Sequence, residues 1–199
     1  MNAAGLILAA GESRRMGSPK ALLRYREETF LDTLTALLAR YCAPVIVVLG
    51  AHAAEIRAAS TRPATFVVNP DYALGMTTSL QCGLRAVPPE ADGVLFTLVD
   101  HPAAAAATVD ALLGPMLGPM DPSRRPLVRV PRYRAKRGHP IWFSRELIPE
   151  FLALPAGGPA RDVVAGHVDR TEYLDLDDPG IVADIDSPED YRALTGAGA

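Results

Sequence analysis

The sequence predicts an α/β protein of three layers, with helices on both faces of a mostly parallel sheet, over one domain spanning residues 1–199. Three observations predict it. Short β-rich apolar runs alternate with helix-compatible segments through the first half of the chain, the signature of successive βαβ units. A chain of 199 residues that is 49% hydrophobic can bury one sizeable core. Glycines, basic residues and carboxylates gather where the apolar runs end, at the sheet edge where open α/β sheets take their ligands.

Taken in order, Gly5 to Ala10 reads as the first strand. Phe30, Leu31, Leu34, Leu37 and Leu38 repeat at helical spacing and predict an amphipathic helix over 29–40. Val45 to Leu49, Thr65 to Asn69 and Val94 to Leu98 read as the next three strands, with helices over 53–59 and 77–86 between them. After Asp100 the pattern loosens into an alanine-rich helix and then Gly114 to Pro126, where Gly and Pro recur and break regular structure. Leu127 to Val130 is predicted as a fifth strand and Pro140 to Phe143 as a short β segment. Ser144 to Leu154 reads as a helix with Ser144 at its cap and Glu146 in its first turn. Val182 to Ile185 reads as a last strand. Ser187-Pro188-Glu189-Asp190 then opens a final helix with proline at its first position, and residues 196–199 form a frayed tail.

Composition narrows the function. A formal net charge of −3 speaks against a general nucleic-acid binder, so any anion site must be local. The apolar opening, Met1 to Ala10, is too short to span a bilayer and has no basic flank, which predicts neither export nor a membrane segment. Cys42 and Cys82 lack paired spacing and read as buried free thiols of a reducing, cytoplasmic compartment. His52, His101, His139 and His167 have no zinc-site spacing. Of the 20 basic residues only Lys20 and Lys136 are lysine, and a lysine kept where arginine is otherwise used suits a compact point charge.

The densest signal is Leu8-Ala9-Ala10-Gly11-Glu12-Ser13-Arg14-Arg15-Met16-Gly17-Ser18-Pro19-Lys20, directly after the first strand. Glycines allow a tight turn with N–H groups free for phosphate oxygens, while Ser13, Arg14, Arg15 and Lys20 add donors and charge. The spacing matches neither the dinucleotide fingerprint nor the P-loop. On composition alone the loop is either a polyphosphate cradle or a solvated turn. Asp100 and Asp186 each follow an apolar run. Two carboxylates brought to one edge can hold a Mg²⁺ ion, which prefers oxygen ligands, or can serve as loop and helix caps.

The loop, L-A-A-G-x-S-x-R-M-G-x-x-K, resembles the signature of the MobA-like nucleotidyltransferases. Asn69-Pro70-Asp71-Tyr72-Ala73-Leu74-Gly75-Met76-Thr77-Thr78-Ser79-Leu80 and Gly138-His139-Pro140-Ile141 are similar to segments of that family's molybdenum cofactor cytidylyltransferase branch. The resemblance implies a Rossmann-like sheet of the nucleotide-diphospho-sugar transferase type. It implies Lys20, Arg15 and Asp100 in catalysis, and Leu8, Ala9, Ala10, Gly11, Ser13, Arg14, Lys20, Asn69, Gly75, Met76 and Ser79 around the nucleotide. Asp100 and Asp186 would hold Mg²⁺, with His139, Pro140 and Arg161 on the acceptor side. The implied reaction moves CMP from CTP to molybdopterin and releases pyrophosphate. The alternatives are GMP transfer from GTP, nucleotidyl transfer to another phosphorylated small molecule, or a nucleotide-binding maturation factor for a molybdoenzyme that does not turn over. A molybdoenzyme partner is implied as well.

Two departures from the family pattern stand out. His101 follows the first aspartate where a smaller residue is usual, and Gly157-Gly158-Pro159-Ala160-Arg161 lacks the acid of the family's G-D-x-G-A-R segment. Residues 123–138 carry Arg124, Arg125, Arg129, Arg132, Arg134, Lys136 and Arg137 without an acid. Such a run is either a solvated face or a recruiter of anionic partners.

Overall fold

The computed structural model describes residues 2–114 and 125–196. Its elements are β1 (Ala3–Ala9), β2 (Arg24–Tyr25), β3 (Glu28–Thr29), α1 (Phe30–Ala39), β4 (Val45–Leu49), α2 (Ala53–Ala59), β5 (Thr65–Val68), α3 (Met76–Leu84), β6 (Gly93–Leu98), α4 (Ala106–Leu113), β7 (Val128–Tyr133), β8 (Lys136–Arg137), β9 (Ile141–Ser144), α5 (Ile148–Ala153), α6 (Arg161–Gly166), β10 (Thr171–Asp175) and α7 (Pro188–Thr195). The main sheet runs β10-β7-β9-β6-β1-β4-β5, with β8 paired to β7. β1 is flanked in parallel by β4 and β6, and β5 extends β4 in parallel. β9 runs antiparallel between β6 and β7, and β10 closes the far edge parallel to β7.

Central strands are buried on both faces, which is why they read as continuous apolar runs. Alternate residues still serve opposite cores. Ile7, Val47, Leu49 and Leu95 meet Phe30, Leu34, Ile56 and Leu112 on the side of α1, α2 and α4. Leu6, Leu8, Val48 and Phe96 meet Leu80, Leu84, Ile148, Phe151 and Val163 on the side of α3, α5 and α6. The three layers expected from the sequence are therefore present, around a mostly parallel sheet.

Several expectations are corrected. Val182 to Ile185 is not a strand. Asp178-Pro179-Gly180 starts a tight 3-10 turn over Pro179–Val182, with the Asp178 carboxylate accepting from the Gly180 N–H at 2.9 Å; this local turn chemistry overrides the apolar pattern. The last strand is instead β10, a partly exposed edge strand whose polar alternation gave little signal. The helix expected over 144–154 is a 3-10 turn at Arg145–Leu147 followed by α5, with Ser144 Oγ accepting from Glu146 N–H. Cys42 is buried, and burial pushes its thiol up to about 12. Cys82 is only half-buried, because it sits on α3 beside the β5 edge, with Sγ 3.8 Å from the Val68 carbonyl.

The basic run is not one solvated face. Arg129 is fully buried, pairs with Glu172 at 2.7 Å and donates to the Ala111 and Leu112 carbonyls, closing the C-terminal end of α4. Arg132 is paired with Asp175, and the Arg132 and Arg137 guanidinium groups each lie about 5 Å from the Tyr173 ring centre. Arg124, most of the Gly114 to Pro126 break and residues 197–199 lie outside the described residues. Among the described residues no helix is long and apolar enough to cross a membrane.

Candidate active site

Leu8 pairs with Leu98 across β1 and β6, so both strands deliver their C-terminal ends to the same edge. After β1, the Ala51 N–H donates to the Ala10 carbonyl at 3.1 Å. A Cβ on Gly50 would lie 2.6 Å from that carbonyl oxygen and 2.7 Å from Tyr72, so only glycine permits this approach. Ser13 (φ 53°) and Gly17 (φ 70°) adopt left-handed conformations and fold the loop back on itself. The backbone N–H of Lys20 then donates to Ser13 Oγ at 3.0 Å. Lys20 starts a 3-10 turn there, and its side chain, 12% exposed, points into the site.

Three separate segments meet at the Lys20 ammonium. It donates to Asp100 Oδ2 at 3.1 Å and to Asp186 Oδ1 at 2.5 Å, while Arg15 Nη2 donates to Asp186 Oδ2 at 2.7 Å. Asp100 stands just past β6, where the Val99 N–H donates to the Leu8 carbonyl. Asp184 and Asp186 come from the segment after the 3-10 turn, which the Ile185 N–H ties to the Asp100 carbonyl at 3.1 Å. Asp178 fixes that segment from below, accepting from Ala105 N–H at 2.9 Å and Thr108 Oγ at 2.6 Å. Ser187 and Asp190 fix it from above through a capping box on α7.

The electrostatics follow from this crowding. Burial works to lower the Lys20 pKa, but its bonds and charges with Asp186 and Asp100 outweigh that and hold the ammonium above its ordinary range. Asp186 is held below the usual carboxylate range, first by its hydrogen bond from Lys20. Asp184 is raised, by burial and then by the charges of Asp100 and Asp186. His101 is lowered, by burial against the partly offsetting pull of Asp100 and Asp184.

Beside these groups opens a cleft of about 350 Å³. Leu8, Ala9, Ala10, Gly11, Ser13, Arg14, Met76 and Ser79 line it together with Arg15, Lys20 and Asp100. Asn69 and Gly75 are not on its wall. The Asn69 amide donates to Thr78 and Ser79 hydroxyls and its carbonyl accepts from Asp71 N–H, joining β5 to α3 behind the cleft. Gly75 (φ 120°) turns the chain into α3. Tyr72 also lines the cleft, though nothing about its type or spacing separates it from a core aromatic. Asp184 is the other addition, and its signal was its place two residues before Asp186.

A second, more apolar cavity of about 240 Å³ shares Met76 and Leu98 with the first and is lined also by Phe96, Arg137, His139 and Arg161. His139 is half-buried with its Nδ1 enclosed, packs edge-on to Phe96 at 5.5 Å, and lies 4.9 Å from the His101 ring. Burial, and then the neighbouring His101, push its imidazole down to about 4. Pro140 follows it across a cis peptide and lies behind the cavity wall.

Residues 5–171 match the MobA-like NTP transferase domain. The chain belongs to the MobA-like NTP transferase family. It is thus a nucleotidyltransferase, and relatives align with it almost end to end. The molybdenum cofactor cytidylyltransferase of Escherichia coli (strain K12) is 28% identical over 94% of this chain and 92% of its own length. The Rv0371c protein of Mycobacterium tuberculosis H37Rv is 31% identical in its crystal structure, covers 98% of each chain and superposes with a TM-score of 0.79. A structure of the same mycobacterial protein in complex with manganese is 30% identical over 99% of this chain and all of that one, with a TM-score of 0.76. Within this family of transferases, the loop after β1, the end of β6 and the 184–186 segment are the parts of the present chain that converge on one cleft.

Proposed function

We propose that this transferase moves CMP from CTP onto molybdopterin and releases pyrophosphate. The observation that carries the reading is the convergence of the glycine-rich loop, Lys20 and three aspartates at one sheet edge, next to a second cavity that shares a wall with the first. Likeness along nearly the whole chain to a cytidylyltransferase named for the molybdenum cofactor supports the choice of base and acceptor.

CTP takes the cleft of the loop, with backbone of Leu8 to Gly11 against base and ribose and with Ser13, Arg14, Arg15 and Lys20 toward the triphosphate. The acceptor takes the cavity of Phe96 and His139, with Arg137 and Arg161 as anion partners. An acceptor phosphate oxygen attacks the α-phosphorus. The new P–O bond forms as the bond to the bridging oxygen breaks, and pyrophosphate leaves with the electron pair. The phosphate nucleophile is already ionised at neutral pH, so no general base is needed. Lys20, kept protonated by its two carboxylates, stabilises the charge that develops on the leaving group, and the fixed loop supplies in-line positioning. The donor set also fits a divalent cation. The buried Asp100 Oδ1 has no hydrogen-bond partner among the described residues, and Asp100, Asp184 and Asp186 outnumber Lys20 and Arg15. Such an ion, Mg²⁺ in the reading from sequence, neutralises phosphate charge when bound.

The test is a thermal-shift series with CTP, GTP, UTP and ATP in the presence of Mg²⁺, followed by pyrophosphate release with molybdopterin. CTP-selective stabilisation with pyrophosphate release that requires molybdopterin supports the proposal. GTP selectivity overturns the choice of base, and CTP binding without pyrophosphate release in the presence of molybdopterin overturns the choice of acceptor.

A further inference from the structure

We propose that Asp100, His101 and Asp184 form a divalent transition-metal site, of the manganese and cobalt class, in which His101 contributes an imidazole nitrogen. The inference deepens the reading above by choosing the ion and its ligands. It shifts the metal from the expected Asp100 and Asp186 pair toward Asp184.

Both Asp186 oxygens are occupied, one by Lys20 and the other by Arg15. Asp100 Oδ2 is likewise bonded to Lys20, but Asp100 Oδ1 is buried and accepts from no group among the described residues. His101 Nε2 stands 3.8 Å from that oxygen. This is too long for a hydrogen bond, yet it is the separation of two donors on one ion, since ligand bonds of about 2.1 Å place neighbouring donors roughly 3–4 Å apart. A carboxylate oxygen of Asp184 completes the group, and the three donor atoms lie within 4.8 Å of one another. Asp184 is exposed and can turn toward an arriving ion, whereas His101 is only 8% exposed and already fixed.

No hydrogen bond among the described residues commits the His101 ring to another partner. Its Nδ1 is buried without a partner among the described residues, and the ring rests on His139 at 4.9 Å between centres. A histidine so enclosed is kept neutral, the form that binds metals. Magnesium favours oxygen ligands, while imidazole suits later first-row ions. One nitrogen among two carboxylates therefore shifts preference away from Mg²⁺ without excluding it.

Mn²⁺ binding to the metal-stripped full chain, without nucleotide, tests the inference by electron paramagnetic resonance. Omitting nucleotide keeps this outcome separate from CTP selectivity. The expected result is one ion per chain, held about ten-fold or more tightly than Mg²⁺, with a ¹⁴N coupling from a bound imidazole. His101→Gln should lose the coupling and about ten-fold in affinity, and Asp184→Asn should lose a similar amount of affinity but keep the coupling. Absence of ¹⁴N coupling in wild type at full occupancy, or displacement of Mn²⁺ by equimolar Mg²⁺, would overturn the proposal. The wild-type spectrum decides even if a variant fails to fold.

Discussion

Asp32 on α1 and Asp100 just past β6 are both carboxylates with oxygens held out of solvent, and they differ in how completely they are satisfied. Asp32, in the first turn of α1, accepts from Ser60 Oγ, Thr61 N–H, Thr61 Oγ1 and Arg62 N–H. Those bonds outweigh burial and hold it below its ordinary range. Asp100 has one oxygen on Lys20 and the other on no group among the described residues. A saturated buried carboxylate is a rivet between α1 and the turn after α2. An unsaturated one stores a penalty that the fold tolerates only where a ligand relieves it.

Substitutions should separate the two. The largest effect is expected for Asp100→Asn, which should slow pyrophosphate release about 10³-fold, or about 4 kcal/mol of barrier, by losing a charge at the reacting phosphates. Its melting temperature should hold or rise, since one of three crowded carboxylates that outnumber Lys20 and Arg15 is removed; a fall of many degrees would make Asp100 structural. His139 extends the contrast to a half-buried neutral group whose enclosed Nδ1 has no partner among the described residues. Its folded pKa of about 4 lies below the ordinary 6.5, so the unfolded chain takes up the proton first. Stability is then lost as pH falls from 6.5 and the loss is complete below about 4, amounting to about 3 kcal/mol. His139→Gln should flatten that part of the stability–pH curve in metal-free protein, and an unchanged slope would contradict its enclosure.

Asp32→Ala should cost about 2 kcal/mol of stability by stranding the donors of Ser60, Thr61 and Arg62. Its transfer rate should stay near wild type wherever the chain is folded; a rate loss without a stability loss would erase the distinction. The smallest effect is expected for Arg15→Gln. This exposed side chain is screened by solvent, so kcat/KM should drop roughly five-fold, through KM. A loss as large as that of Asp100→Asn would place Arg15 in the transition state.

What the sequence revealed follows the same division. The central strands were legible because double-sided burial writes an unbroken apolar run, and the glycine-rich loop after β1 because glycines and basic residues so closely spaced have few other uses. β10 was not legible, since an edge strand half in solvent needs no such run. The 3-10 turn at Pro179 was misread because Ile181 and Ile185 are buried without pairing to a strand. Asn69 and Gly75 belong to a motif pointing at the nucleotide, yet they shape the cleft from behind it. Spacing cannot tell a wall from its foundation. Likewise His101 was visible as a departure but had no meaning until the fold set His139 and Asp184 beside it.

The segment that carries Asp184 and Asp186 is tied down by two close backbone approaches. A Cβ on Gly180 would stand 2.1 Å from the Ala103 carbonyl oxygen, and one on Gly138 would stand 2.4 Å from that of Ile181. The contact between Lys20 and Asp186 spans 166 positions, so the half of the site made first waits for the half made last. During synthesis, β1, β4, β5 and β6 can assemble from the emerging chain, but a nascent protein still short of residue 186 would present the cleft with Lys20 paired to Asp100 alone. The charge balance around Lys20 is thereby completed only once translation has passed Asp186.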